Sequence, residues 1–351
     1  NLKLKKNSED GKIAGISFTI AGDNFCENVT TDENGELQLN DLVPGVYTVT
    51  ENAAAFYEPQ QPQTVTVKAG QTAEVSFSNK LKRGTLEVSK TADDGFVQGV
   101  TFRLSGTADC GQPVDVYAET DETGLAVFED IHIGSNYTLA EVAVPERYVE
   151  VAPQNVRIAW NEVTRQTVEN RLVRGSIRGI KVDESEKPLP GAVFGLFAEG
   201  TTEFTKENAL STAVSDASGA FDFADVVFGN YLLRELEAPA GYVLSDEIYE
   251  VQITENGSVI ELENLKNKPI TGKLELTKLD VSTGKPLPNA GFRIKDMEGN
   301  TVAEGYTDEY GIARFTLGYG ESGTQPSEVK QGGRCGCERS LCRFRARRHG
   351  S

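Results

Sequence analysis

The chain holds little material for metal, redox or acid–base chemistry. Its 351 residues include two histidines, one methionine and one tryptophan, and His132 is the only histidine upstream of the C-terminal tail. With no paired-carboxylate or metal-ligand motif, a hydrolase is disfavoured and no cofactor or metal is expected. No run of about 18 apolar residues occurs, so no membrane insertion by a helix is expected. The balance of 53 acidic against 35 basic residues, a net charge of −18, argues against nucleic acid and anionic lipid as partners. There is no signal-peptide pattern, but Asn1 stands inside a strand pattern, so the true start is expected upstream. The five cysteines make no disulfide set. Cys26 and Cys110 each fall 20 residues after a matching lysine, and equivalent points of successive modules are too far apart to bridge. They are expected to be isolated thiols.

Helical periodicity is almost absent too. Only Thr205 to Ala213 reads as one short helix. What recurs is alternation. Four strand patterns close on a lysine: Leu2-Lys3-Leu4-Lys5-Lys6, Leu86-Glu87-Val88-Ser89-Lys90, Ile177-Arg178-Gly179-Ile180-Lys181 and Leu274-Glu275-Leu276-Thr277-Lys278. Residues i, i+2 and i+4 of a strand share a face, so each lysine points with the aliphatic residues towards the core. Lysine is rarely fully buried without a partner.

Aligned on the lysines, the punctuation repeats. A Thr/Ser-Asp-x-x-Gly turn occurs at Thr31–Gly35, Thr120–Gly124, Ser215–Gly219 and Thr307–Gly311, each followed by an alternating strand. The Asp side chain caps such a turn and the Gly supplies positive φ. In the first three units a second glycine (Gly45, Gly134, Gly229) leads into a Tyr-x-x-x-Glu strand, and a last strand ends in Asn. Short strands, Gly/Pro turns (35 Gly and 13 Pro) and no helices indicate an all-β chain of tandem β-sandwiches. The expected units are repeat 1 (1–83), repeat 2 (84–174), repeat 3 (175–271), an incomplete repeat 4 (272–320) and an atypical, disordered basic tail (321–351). Short links suggest a string of modules with limited hinge freedom.

Alternation also turns Glu51, Glu141 and Glu235 inward with their tyrosines, and Asn79 and Asn170 inward with Phe77 and Val168. Burial pushes a lysine pKa down and a carboxylate pKa up. A Lys–Glu pair can then share one proton, and the neutral amine becomes a nucleophile towards a carboxamide carbon. Glu would polarise the amide oxygen and pass protons to departing ammonia. The expected product is a Lys–Asn isopeptide joining the first and last strands. The triads are Lys6/Glu51/Asn79, Lys90/Glu141/Asn170 and Lys181/Glu235/Asn267, with Glu in the assisting role. Spacing to Gly272 selects Asn267, whereas alternation with Ile260 and Leu262 selects Asn264. The competing reading is a satisfied polar cluster with no covalent chemistry. Each site would react once, so the chain is not an enzyme.

Residues Tyr231-Leu232-Leu233-Arg234-Glu235-Leu236-Glu237-Ala238-Pro239-Ala240-Gly241-Tyr242 resemble the E-box of pilins and surface adhesins of Gram-positive bacteria. Leu276-Thr277-Lys278-Leu279-Asp280-Val281-Ser282-Thr283-Gly284 resembles the first strand of their SpaA-type repeats, also called Cna B-type or prealbumin-like domains. The resemblance spans residues 1 to about 320. It is specific in units three and four, weaker at Val144–Tyr148 of unit two and thin at Ala53–Tyr57 of unit one. It implies a seven-stranded sandwich of reversed immunoglobulin topology, self-generated Lys–Asn/Asp isopeptides assisted by Glu, and extracellular attachment to the cell wall by sortase. A structural stalk is the leading expectation. Binding of a host extracellular protein or glycan by the repeats is the alternative, with Trp160 expected in the core rather than on a ligand platform.

The chain also departs from that pattern. No Tyr-Pro-Lys pilin motif or LPxTG-like sorting signal occurs. No Tyr-x-x-x-Glu strand follows Lys278, which leaves this lysine a candidate for capturing a strand from another chain. The tail carries seven Lys/Arg against three Asp/Glu, with Cys335, Cys337, Cys342 and His349. Their spacing fits no strong zinc rule, and a foreign or frameshifted terminus is expected.

Overall fold

The computed structural model describes residues 1–296, 298–319, 327–329 and 340–347, the last two segments in their backbone alone. No helix occurs among the described residues. The chain divides into two compact units, Asn1–Leu172 and Val173–Ser351.

Repeat 1 is built from β1 (Leu2–Ser8), β2 (Ser17–Gly22), β3 (Phe25–Thr30), β4 (Glu36–Leu39), β5 (Gly45–Glu51), β6 (Gln63–Val67) and β7 (Ala73–Asn79). These form two sheets, β4-β1-β7 and β3-β2-β5-β6. The inward residues of both sheets, Leu2, Leu4, Phe18, Ile20, Tyr47, Val49 and Phe77, fill one core. Alternation along each strand produces this, since every second side chain meets the opposite sheet.

Repeat 2 has the same plan. Its strands are β8 (Arg83–Ala92), β9 (Thr101–Thr107), β10 (Pro113–Glu119), β11 (Leu125–His132), β12 (Gly134–Glu141), β13 (Gln154–Ile158) and β14 (Val163–Asn170), in sheets β11-β8-β14 and β10-β9-β12-β13. Repeats 1 and 2 meet closely. Tyr57 and Leu81 join the core of repeat 2. The Arg83 guanidinium pairs with Glu9 of repeat 1 and lies 2.9 Å from His132 Nε2 of repeat 2.

Repeat 3 comprises β15 (Arg174–Asp183), β16 (Val193–Ala198), β17 (Ser211–Val214), β18 (Ala220–Val227), β19 (Gly229–Glu237), β20 (Ile248–Ile253), β21 (Val259–Glu261) and β22 (Leu265–Asn267). Both β21 and β22 run parallel to β15, so its closing strand is interrupted. Repeat 4 comprises β23 (Thr271–Asp280), β24 (Gly291–Lys295), β25 (Thr301–Tyr306), β26 (Ile312–Gly318), β27 (Ser327–Val329) and β28 (Ser340–Arg347). Beside β23, β28 runs antiparallel, whereas the closing strands of the other repeats run parallel to their opening strands. Thus two strands lie within the segment assigned from sequence to a disordered tail.

Two other expectations are corrected. Residues 205–213 form no helix. Ala209 N donates to Thr205 O, but Leu210 N donates to Leu196 O and the chain leaves as β17, pairing with β16. One helical turn lost to sheet pairing. Trp160 is not a core residue. It is 42% exposed, with the Lys82 ammonium 4.9 Å from its ring centre. Among the described residues, Cys26 and Cys110 are free, the first exposed and the second buried. Cys335, Cys337 and His349 lie outside the described residues, and Cys342 is described in its backbone alone.

Candidate cross-linking sites

The recurring turn is what sets each lysine. Oδ1 of Asp32, Asp121, Asp216 and Asp308 accepts the backbone N–H groups two and four residues on. The preceding hydroxyl is buried and stitches the turn to the loop after the lysine strand. Thr31, Thr120, Ser215 and Thr307 donate to the carbonyls of Ile13, Val97, Leu189 and Leu287 at 2.5–2.7 Å. The turn glycine's carbonyl then accepts the lysine backbone N–H: Gly35 from Lys6 at 2.7 Å, Gly124 from Lys90 at 2.8 Å, Gly219 from Lys181 at 2.7 Å and Gly311 from Lys278 at 2.8 Å. A Cβ on Gly219 would stand 2.3 Å from the Lys181 carbonyl oxygen. The glycine is therefore demanded by close approach as well as by positive φ.

All four lysines are at most 3% exposed. In repeats 1–3 the asparagine lies on the adjacent parallel strand, two residues beyond the lysine's register partner. Lys6 opposes Phe77 and Ser8 opposes Asn79; Lys90 opposes Val168 and Ala92 opposes Asn170; Lys181 opposes Leu265 and Asp183 opposes Asn267. Lysine and asparagine thus share the core-facing side of one sheet, a diagonal that a long side chain spans.

The glutamate arrives from the facing sheet. Each Glu strand is held by its tyrosine, whose hydroxyl donates to a carbonyl upstream: Tyr47 to Val43, Tyr137 to His132 and Tyr231 to Val227, at 2.7–2.9 Å. Oε1 of the glutamate accepts the asparagine carboxamide N–H in every case, Asn79 to Glu51 at 2.5 Å and Asn170 to Glu141 and Asn267 to Glu235 at 2.9 Å. Lys6 Nζ lies 3.4 Å from Glu51 Oε2, and Lys181 Nζ lies 3.4 Å from Glu235 Oε1. Burial holds the Lys6, Lys90 and Lys181 amines below the usual lysine range, against an opposing pull from the glutamate of the same repeat.

The structure therefore joins asparagine to glutamate in all three sequence-derived triads and brings the lysine to 3.4 Å from the glutamate in repeats 1 and 3, whereas in repeat 2 Lys90 Nζ donates to the Thr91 carbonyl at 2.7 Å and forms no ion pair with Glu141 among the described residues. It separates the two candidates of repeat 3: Asn267 is buried against Glu235, while Asn264 is exposed and bonds Glu186. One detail differs from expectation. The glutamate meets the amide nitrogen, not the amide oxygen. Oδ1 of Asn79, Asn170 and Asn267 is instead buried without a hydrogen-bond partner, as are Oε2 of Glu51 and Glu141. Lys278 is equally buried and held by its turn, with Cys342 of β28 as its register partner.

Sequence reasoning assigned no role to Tyr57, Tyr148 and Tyr242. Each bridges the residue two beyond the asparagine (Leu81, Leu172 or Pro269). Each hydroxyl also donates to an aspartate two or four residues past the lysine, Asp10, Asp94 or Asp183. These tyrosines clamp the ends of opening and closing strands together. Burial, with the Asp10 carboxylate adding to it, pushes the Tyr57 hydroxyl up to about 12. The available signal was a tyrosine six or seven residues after each glutamate.

Paired sheets of this order, repeated along the chain, define a tandem prealbumin-like β-sandwich protein. The family model for the SpaA prealbumin-like fold domain matches residues 1–81, 84–172, 175–268 and 272–325, and the chain belongs to that family. Among solved structures it is similar to the Bacillus anthracis TIE protein, at 23% identity and TM-score 0.63, covering 95% of this chain and 66% of that one. It also matches BcpA, the major pilin subunit of Bacillus cereus, at 16% identity and TM-score 0.47, over 77% of this chain and 99% of that one. A curated relative, serine-aspartate repeat-containing protein F of Staphylococcus epidermidis, is 22% identical across 88% of this chain, which spans 22% of that relative's length.

Proposed function

We propose that the chain is a stretch of extracellular stalk on a Gram-positive surface, each of its first three repeats sealed by a self-formed Lys–Asn isopeptide. The observation that carries this reading is the threefold recurrence of one arrangement. A buried lysine and asparagine share a sheet face, and a buried glutamate oxygen bonds the nitrogen that would leave. The lysine proton passes to the glutamate, and the neutral Nζ attacks the asparagine Cγ. The new C–N bond forms as the Cγ–Nδ2 bond breaks, and the glutamate carries protons from Nζ to the departing nitrogen. Lysine ammonium and carboxamide become one secondary amide and one ammonium ion, with the glutamate carboxylate restored.

Mechanics gives the bond its use. Tension along a tandem chain enters a repeat at its opening strand and leaves at its closing strand, which here lie side by side and parallel. A covalent tie between them carries force past the rest of the sandwich. Unlike a disulfide, an amide is not reduced. Intact mass tests the reading: the chain is expected to fall short of its sequence mass by one ammonia per bond, three in total. An unshifted mass refutes it.

A further inference from the structure

The three triads differ in what the second glutamate oxygen meets. In repeat 1, Glu51 Oε1 takes the Asn79 N–H, while Oε2 faces Lys6 Nζ at 3.4 Å and makes no hydrogen bond. In repeat 2, Glu141 Oε1 takes Asn170 and Oε2 is again buried without a bond, while Lys90 Nζ donates to the Thr91 carbonyl at 2.7 Å and feels the Glu141 charge from beyond ion-pair distance. In repeat 3 neither oxygen is open. Glu235 Oε1 faces Lys181 and accepts Asn267, and Oε2 accepts both Asn267 at 3.0 Å and the backbone N–H of Ser245 at 2.9 Å. Ser245 lies three residues after the clamping Tyr242. The matching residues Gln60 and Val151 bring no N–H to Glu51 or Glu141 among the described residues. We propose that the Ser245 backbone N–H is a positioning group that makes repeat 3 the slow member of the set, by engaging the one carboxylate oxygen that stays without a hydrogen bond in repeats 1 and 2.

The inference rests on the cross-linking reading above and adds an order to it. A hydrogen bond to a charged group favours that charged form. Placing the Lys181 proton on either Glu235 oxygen means weakening a hydrogen bond that oxygen already accepts, and the strength of one such bond corresponds to a rate about tenfold to a hundredfold lower. The pH dependence differs as well. Where the proton moves within the pair, no net proton is lost and the rate is flat with pH. Where Glu235 stays a carboxylate, Lys181 must lose its proton to solvent, and the rate climbs with pH until the amine is neutral.

The test follows the full chain made by cell-free synthesis. Aliquots are moved to buffers spanning neutral to alkaline pH, quenched in acid denaturant at intervals, and the ammonia loss of each triad is read by peptide mass spectrometry. Expected is fast, pH-flat closure of Lys6–Asn79 and Lys90–Asn170, with slow closure of Lys181–Asn267 that accelerates as pH rises. Ser245→Pro, which removes the N–H, is expected to bring repeat 3 up to the rate and flat profile of its neighbours. Should that variant misfold, the comparison among the three wild-type repeats still decides. Equal rates and equal pH profiles overturn the inference while leaving the cross-links intact. No ammonia loss from any triad overturns the proposed function and this inference with it.

Discussion

Replacing Glu141 by glutamine keeps the shape of the repeat 2 site and removes the proton carrier of the proposed reaction. The glutamine oxygen can still accept the Asn170 N–H that Glu141 Oε1 accepts at 2.9 Å, but it cannot take a proton from Lys90. Repeat 2 is therefore expected to stay open while repeats 1 and 3 close. The lost bond spans a loop of about 80 residues, worth about 4.5 kcal/mol in the chain-entropy treatment of cross-links. A domain of this size shifts by about 4–8 °C per kcal/mol, so the repeat 2 transition should fall by about 20–35 °C. That figure is a floor, since the open variant also keeps an amine in a core that disfavours its charge. Differential scanning calorimetry of the full chain reads the shift, with repeats 1 and 3 as references in the same molecule, and peptide mass spectrometry reads the bond. Asn170→Ala, which removes the electrophile instead, should lose the same bond. An ammonia still missing from repeat 2 of Glu141→Gln would refute the role of the glutamate. A lost bond with an unmoved transition would refute the entropy reasoning.

Gly219→Ala forces a Cβ to 2.3 Å from the Lys181 carbonyl oxygen at a φ of +77°. It should destabilise repeat 3 by about 1–3 kcal/mol, seen as a lower transition for that repeat alone. Thr120→Val removes a hydroxyl that donates to Val97 O at 2.6 Å and accepts from Val100 N at 2.8 Å. Leaving those groups unpaired should cost repeat 2 about 1–3 kcal/mol by denaturant unfolding. His132 is held below the usual histidine range, first by burial and then by Arg83, against Glu9 and Asp130. Its neutral form is thus the folded one. The stability it lends is complete above the ordinary histidine pKa of about 6.5 and is lost as pH falls through the lower folded value. His132→Gln should flatten the part of the melting-temperature decline between neutral and mildly acidic pH that the wild type shows beyond it.

Most of the fold was legible because its devices are local. Strand alternation, the Asp-capped turn and the glycine after it each have a sequence pattern, and together they place the lysine. The glutamate and asparagine followed from counting along strands. Counting failed at Asn264 because the closing strand of repeat 3 breaks between Glu261 and Leu265, so alternation from Ile260 does not run through. The helix expected over 205–213 was a propensity reading that pairing of Ser211–Val214 with Val193–Leu196 overrode. Trp160 was placed inside on residue type alone, yet the Lys82 ammonium over its ring lets it stay at the surface. The Ser245 contact was out of reach for a different reason. A backbone N–H belongs to every residue but proline, and nothing in the side chains says where it points.

In each of the first three repeats the lysine is seated by a turn that the ribosome finishes well before the asparagine strand. The nucleophile is ready early, and its target is the last piece of the repeat to be synthesised. Under the proposed cross-linking, sealing would act as a completion check on the nascent polypeptide: a repeat cut short, or one whose final segment has not yet docked, would keep a reversible fold.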